Sequence, residues 1–500
     1  MFRRSSGLLI HVTSLPGPDG IGDVGPPARE FVDILSRAGQ HFWQVLPIGP
    51  VGAGNSPYDA RSTFAGNPLL ISLDDLVRDG LLTEKDLKRP QRFDAASVEF
   101  RRVTRRKERL FRSAHRRFLD GAAPELQSAY EQFVHDASEW LEDFALYQAI
   151  RNGQSGTPWY RWDDELRLRD PDALTAARFR VSEELAYQRF VQFIFERQWG
   201  QLKAYAAERD VVLMGDVPIY VALDSADVWA NQEQFLLDGK GQPVVQAGVP
   251  PDMFSETGQL WGNPVYNWER MRVDGYRWWK SRIKRTLSQT DIVRIDHFRG
   301  FAAGWQVPAG EKTAINGEWV PGPGIDLFRD VRSELGELPI VVEDLGVITP
   351  DVEQLRDDLG YPGMKVLQFA FDGDSQNPYL PHNAVPKSMV YTGTHDNDTL
   401  FGWYDSLTAD DQRYVRRYAR ANRDSLHRDF LRLAWGSVSL LACAPVQDVL
   451  GLGTEARMNV PGKAKGNWGW RLIDYRGLRR RANLLRSMTE LYGRDQLPLG

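Results

Sequence analysis

The chain reads as short β-rich apolar runs separated by stretches of helical period. Eight runs stand out, at residues 8–12, 41–46, 211–216, 292–296, 340–343, 365–370, 388–392 and 440–444. Several are continuously apolar rather than alternating, the pattern of a parallel strand covered on both faces. Between them, apolar positions recur at helical spacing. Phe31, Ile34, Leu35 and Ala38 fall at i, i+3, i+4 and i+7, with Pro27 opening that stretch and Gly39 just beyond it. Thr349-Pro350 signals a helix start that Gly360 closes. Leu327, Phe328, Val331 and Leu335 mark a further stripe. Eight strands alternating with helices predict an α/β fold, a closed parallel (β/α)8 TIM barrel. An open doubly wound sheet is the rival, and the absence of G-x-G-x-x-G after the first run counts against it.

The gaps between runs are uneven. About 165 residues separate the second run from the third, against about 20 to 75 elsewhere. Helical patterns at 139–151 and 183–209 occupy that gap, so residues 70–200 are expected to form a mainly helical subdomain inserted at the barrel rim. Length alone suggests about three domains. With no internal repeat, low-complexity tract or Ser/Gly linker, residues 1–500 are instead expected to be a single catalytic barrel. The last helical pattern, at 478–491, carries no β-sandwich signature, so no C-terminal β-domain is expected.

Composition narrows the function classes. Hydrophobic residues make up 42% and charged residues 26%, which excludes disorder as the main state. The 62 basic and 67 acidic residues leave a net charge of −5, no footprint for nucleic acid or an anionic membrane. Two basic runs, 101–118 and 476–486, read as solvated helix faces; Phe111 and Phe118, seven apart, suit one buried stripe. The apolar stretch at 7–10 is too short for a signal peptide, and no run approaches the ~20 residues of a membrane span. A cytoplasmic protein is expected, a monomer or weak homo-oligomer. The single cysteine, Cys443, excludes a disulfide framework and reads as a small core residue. The 16 Trp, 17 Tyr and 23 Phe suit a large core, and also the faces of sugar rings.

In a barrel the chemistry gathers at the C-terminal ends of the strands. Here those ends carry acids: Asp216 on the third run, Asp296 on the fourth, Glu343-Asp344 on the fifth, and His395-Asp396 after the seventh. Metal-dependent hydrolysis is one chemistry that uses such acids, but the first strand offers His11-Val-Thr and the chain holds only 8 His. Retaining glycosyl transfer is the other, with a nucleophilic carboxylate and a carboxylic acid about 5–5.5 Å apart. Acids ending adjacent strands, about 4.8 Å apart, meet that spacing. Arg294 lies two residues before Asp296, on the same strand face, and offers a counter-charge to a carboxylate nucleophile. Glu343 must arrive protonated to serve as the acid, which burial and neighbouring carboxylates favour. Asp396 is then the third acid, gripping ring hydroxyls near the transition state.

The strings around these acids, Arg294-Ile-Asp296-His297, Val342-Glu343-Asp344 and Gly393-Thr-His395-Asp396-Asn397, resemble the signature regions of the α-amylase superfamily. Ser56-Pro-Tyr58, Gly248-Val-Pro-Pro-Asp252, Trp261-Gly-Asn-Pro264, Pro362-Gly-Met-Lys-Val-Leu-Gln-Phe369 and Pro445-Val-Gln-Asp448 narrow the likeness to the 4-α-glucanotransferases of glycoside hydrolase family 77. That resemblance implies Asp296 as nucleophile, Glu343 as acid/base and Asp396 as transition-state stabiliser. It implies donor-sugar contacts from Asp216, Arg294 and His395, and a groove lined by Tyr58, Asp252, Gln259, Trp261 and Phe369. It further implies malto-oligosaccharide, amylose, starch or glycogen-derived substrates, cyclisation of long chains to cycloamylose, no cofactor and no metal. Residues 245–265, rich in glycine and proline beside Phe254 and Trp261, are expected to form a lid over the acceptor side that limits water.

Overall fold

Eight parallel strands, each buried along nearly its whole length, build the centre of the molecule. In the computed structural model, which describes residues 2–88, 92–251 and 255–500, they are β1 (Ser5–Leu9), β2 (Phe42–Gln44), β3 (Val212–Pro218), β6 (Ile292–Asp296), β9 (Ile340–Val342), β10 (Gly363–Val366), β11 (Ser388–Tyr391) and β12 (Leu441–Pro445). Their spatial order is β10-β11-β12-β1-β2-β3-β6-β9. Between the two end strands the Val342 N–H donates to the Pro362 carbonyl at 2.9 Å, and Met364 N–H to Asp344 Oδ1 at 2.7 Å. Those bonds bring the sheet round on itself, and the fold is a TIM barrel.

Packing inside it is tight enough to dictate single residues. A Cβ on Gly7 would lie 2.2 Å from the Phe42 carbonyl oxygen, so the β1–β2 seam requires glycine there. The predicted strands lie on or beside the observed ones, with two displacements: the sixth occupies 363–366 rather than 365–370, residues 367–369 forming a 3-10 turn. The first strand occupies 5–9 rather than 8–12, and residues 12–14 form a 3-10 turn. Ser5 and Ser6 are fully buried despite their polarity, which is why the apolar run misplaced the strand.

Helices cover the outside of the barrel. Pro26–Arg37 has prolines in its first turn, Gly39 in the left-handed region at φ 64° just past its end, and Phe31, Ile34 and Leu35 buried. Pro350–Leu359 ends at Gly360, φ 71°. Among the described residues, eight α-helices lie between β2 and β3, from Leu73–Arg78 to the 26-residue Ser182–Ala207. The long helix packs against the barrel side: Trp199 donates its indole N–H to the Gln289 carbonyl at 2.8 Å. The basic run at 101–118 lies in helix Phe100–Leu119, which buries Val103, Leu110, Phe111, Ala114 and Phe118 along one stripe. No helix among the described residues is long and apolar enough to cross a membrane.

A second sheet has no counterpart among the strands expected from the sequence. Strands β4 (Val245–Val249), β5 (Gln259–Pro264), β7 (Ala303–Pro308) and β8 (Glu318–Pro321) pair antiparallel in the order β5-β4-β7-β8. Two separate insertions, one after β3 and one after β6, thus join into one sheet. It is tied to the segment leaving β3: Asn263 Nδ2 donates to the Val221 carbonyl at 2.8 Å and the Tyr266 hydroxyl to that of Ile219 at 2.7 Å. Within the stretch 245–265, expected to be a lid loop, residues 245–249 and 259–264 are therefore paired strands.

Candidate active site

Three strand ends and one loop bring the acids together. Arg294, inside the barrel on β6, is the hub. Its Nη1 donates to both oxygens of Asp216 at 2.7 and 2.6 Å, and its Nη2 donates to Asp296 Oδ1 at 2.8 Å. Arg294 and Asp296 share a strand face because they are two residues apart. The Arg294 and Asp216 side chains are 4% and 0% exposed, while Asp296 is 28% exposed, so one arm of the network is sealed and the other faces the cleft. Asp216 is also held by the Tyr58 hydroxyl, which donates to Oδ2 at 2.8 Å. Burial pushes the Asp216 carboxyl upward, and the Arg294 charge opposes that.

Glu343 follows β9, the strand beside Asp296. Its Oε2 accepts the His297 backbone N–H at 2.8 Å and its Oε1 that of Leu345 at 2.7 Å. Such donors favour a carboxylate. Burial and the nearby Asp296 charge outweigh them, and the Glu343 carboxyl is pushed up to about 8. His297 reaches this donor position with a left-handed backbone, φ 52°. Its imidazole is pushed down to about 4 by burial, and the indole of Trp261 sits edge-on to it, ring centroids 4.8 Å apart.

Asp396 and His395 lie on the loop after β11. Asp396 Oδ1 accepts from Asn459 Nδ2 at 2.6 Å, its Oδ2 lies 3.4 Å from His395 Nε2, and Arg457 donates to its carbonyl at 2.7 Å. At 45% side-chain exposure, Asp396 is more open than Asp296 or Asp216. The buried His395 ring stacks on Tyr58 at 5.1 Å, 15° between planes, and Trp468 leans on both. Tyr58 is thereby the bridge from the Asp396 loop to Asp216.

Gln259 and Trp261 are on β5, joined by a 3.3 Å bond from the indole N–H to Gln259 Oε1. Phe369 ends the 3-10 turn after β10, edge-on to Tyr379 at 5.7 Å. Asp252 and Phe254 lie outside the described residues. Asn459, Arg457, Trp468 and the backbone donors of His297 and Leu345 went unnoticed in the sequence; none is an acid at a strand end. Among the described residues, no group of three His, Cys, Asp or Glu side chains is placed to hold a metal ion.

A family model described as 4-alpha-glucanotransferase matches residues 10–475, and that span contains every one of these groups. The chain belongs to the 4-alpha-glucanotransferase family. Membership makes it an enzyme of glycoside hydrolase family 77. A 4-alpha-glucanotransferase of Synechocystis sp. is 48% identical over 496 residues, covering 98% of each chain. One of Thermus thermophilus is 48% identical over 478 residues, covering 94% of this chain and 95% of that one. Among solved structures, the amylomaltase of Streptococcus agalactiae in complex with acarbose superposes with a TM-score of 0.95. It is 36% identical, over 98% of this chain and all of the other. The Corynebacterium glutamicum amylomaltase, at 18% identity and a TM-score of 0.78, shares the fold.

Proposed function

We propose that this family member transfers a segment of α-1,4-glucan to the 4-hydroxyl of a glucose or glucan acceptor by retaining double displacement. The observation that carries the reading is the contrast between two neighbouring carboxyls. Asp296 has a guanidinium bonded to it, whereas Glu343 is held protonated near neutral pH. In the first step the Asp296 carboxylate attacks the anomeric carbon while Glu343 gives its proton to the departing glycosidic oxygen. The shorter chain leaves with a free 4-hydroxyl, and the donor glucan stays esterified to Asp296. In the second step the acceptor 4-hydroxyl attacks the same carbon, and Glu343 takes up its proton. When the acceptor is the far end of the same glucan, the product is a cycloamylose. Asp396 grips ring hydroxyls and favours the flattened transition state.

The donor sugar is met by Asp216, Arg294 and His395. Tyr58, Gln259, Trp261, Phe369 and Asp252 line the groove for starch- or glycogen-derived chains. The chemistry calls for no cofactor, and cytoplasmic glucans are the proposed substrates. The amylomaltase of similar fold was solved with acarbose, and acarbose is expected to bind this cleft also. The β4–β5 hairpin acts as the lid that holds water off the covalent intermediate while an acceptor arrives. Incubation with maltotriose tests the proposal. Transfer yields a ladder of longer oligomers plus glucose; glucose and maltose alone would mean hydrolysis and overturn it. Asp296→Asn is expected to abolish turnover while acarbose still binds.

A further inference from the structure

Asp396 and His395 sit on a loop, and the loop needs a reason to stay in place. It leaves the barrel at Thr392, directly after β11, and ends at Leu400, where helix Leu400–Ser406 begins. Asp396 is half exposed, and no barrel strand bonds to its carboxylate. Both ends of the loop meet one buried side chain that is absent from the cleft chemistry. Asp448, on the short helix Val446–Leu450 after β12, accepts the Thr392 hydroxyl on Oδ2 at 2.6 Å and the Leu400 N–H on Oδ1 at 2.8 Å. Thr392 and Asp448 are 0% and 2% exposed, so water does not substitute for either bond.

We propose that Asp448 is a positioning residue for the transfer reaction: one carboxylate clamps both ends of the 392–400 loop and so fixes Asp396 over the cleft. The inference rests on the proposed role of Asp396. A carboxylate suits the task because it accepts at two oxygens at once, and charge-assisted bonds are roughly twice as strong as neutral ones. Burial pushes the Asp448 carboxyl up to about 6, so at neutral pH it remains ionised and both oxygens accept. With both ends held, the loop's own turn, in which Asn397 Oδ1 accepts the Thr394 N–H at 2.9 Å and its hydroxyl at 2.8 Å, joins the Asn459 and Arg457 bonds in placing Asp396. Loss of the clamp frees the loop ends, and a shift of about 1 Å in a catalytic group costs on the order of 10²-fold in rate.

The test compares Asp448→Ala, Asp448→Asn, Thr392→Val and Asp396→Ala in maltotriose disproportionation, reading kcat, KM and melting temperature. Asp448→Ala is expected to lower kcat on the order of 10²-fold with KM nearly unchanged, because Asp396 acts in the transition state. Asp448→Asn keeps an acceptor for Leu400 and offers its amide to Thr392 Oγ, and is expected to recover about tenfold of that loss. Thr392→Val removes one end of the clamp and is expected to lower kcat about tenfold. If Asp448→Ala does not fold, Thr392→Val decides. Wild-type kcat in Thr392→Val, or a loss in Asp448→Ala that Asp448→Asn fails to recover, overturns the clamp. Turnover surviving in Asp396→Ala would overturn the proposed role of that acid, and the inference with it. A dead Asp396→Ala beside an unaffected Thr392→Val overturns the clamp alone.

Discussion

Glu343 is caught between opposed forces whose balance suits the two successive tasks proposed for it. Backbone donors at His297 and Leu345 favour its charged form; burial and Asp296 favour its neutral form and prevail. As an acid it must carry its proton, so on the alkaline side the transfer rate is expected to fall as pH rises through about 8. A rate–pH profile on maltotriose checks the sign; a rate still rising at pH 9 would contradict it. In the proposed mechanism Asp296 loses its charge on esterification, and one cause of the raised Glu343 value goes with it. The group then releases and accepts a proton more evenly, as the base role requires. Asp296→Asn mimics that neutral state, so a carbon-13 NMR titration of the variant is expected to show Glu343 titrating below its wild-type value. Glu343→Gln can do neither task and is expected to lose at least about 10²-fold in kcat.

The β4–β5 hairpin is the element proposed to join the chemistry to its substrate. It carries Gln259 and Trp261, presses Trp261 onto His297, and is anchored through β4 to β7, an insertion that follows the other catalytic strand. Shortening its turn is expected to raise the ratio of glucose release to oligomer formation on maltotriose, since water then reaches the intermediate sooner. An unchanged ratio would refute the lid. The hairpin also marks where the sequence stops being legible. Barrel strands such as Ile292–Asp296 announce themselves by continuous burial, and acids at their ends followed from the barrel rule. In contrast, β5 and β8 have few buried positions, and β4 pairs with a strand some 60 residues away, as Gly248 with Trp305. No local period encodes such a pairing. Asn459, which holds Asp396, is an amide in an irregular segment, and its role exists only once the chain has folded back across the cleft.

At the scale of the molecule, the acids lie at one end of the barrel and a different kind of buried charge closes the other. Arg494 is fully buried and has no carboxylate partner among the described residues. Its guanidinium donates to carbonyls of Trp435 at 2.7 Å, Ser5 at 3.0 Å, Ser439 at 3.0 Å and Leu440 at 3.1 Å. Ser5 opens β1 and Leu440 precedes β12, so one side chain near the end of the chain ties the first and last barrel strands where they enter. Conserving the charge is not enough, because lysine lacks the planar fork that reaches carbonyls on several sides. Arg494→Ala removes a charged donor from all four carbonyls, leaving Trp435 and Ser439 only their bonds from Arg4 and Leu440 only that from the Ser5 N–H, at a cost of about 3–5 kcal/mol. For a chain of this length that corresponds to a melting temperature lower by about 3–5 °C. Bonds at the strand entrances stabilise a barrel without touching its chemistry, so kcat and KM for maltotriose are expected to stay at wild-type values at temperatures where the variant is folded. Calorimetry beside kinetics decides the matter: an unchanged melting temperature, or a fall in kcat at equal folded fraction, would mean that the two ends of this barrel are not separable in the way the bonding pattern indicates.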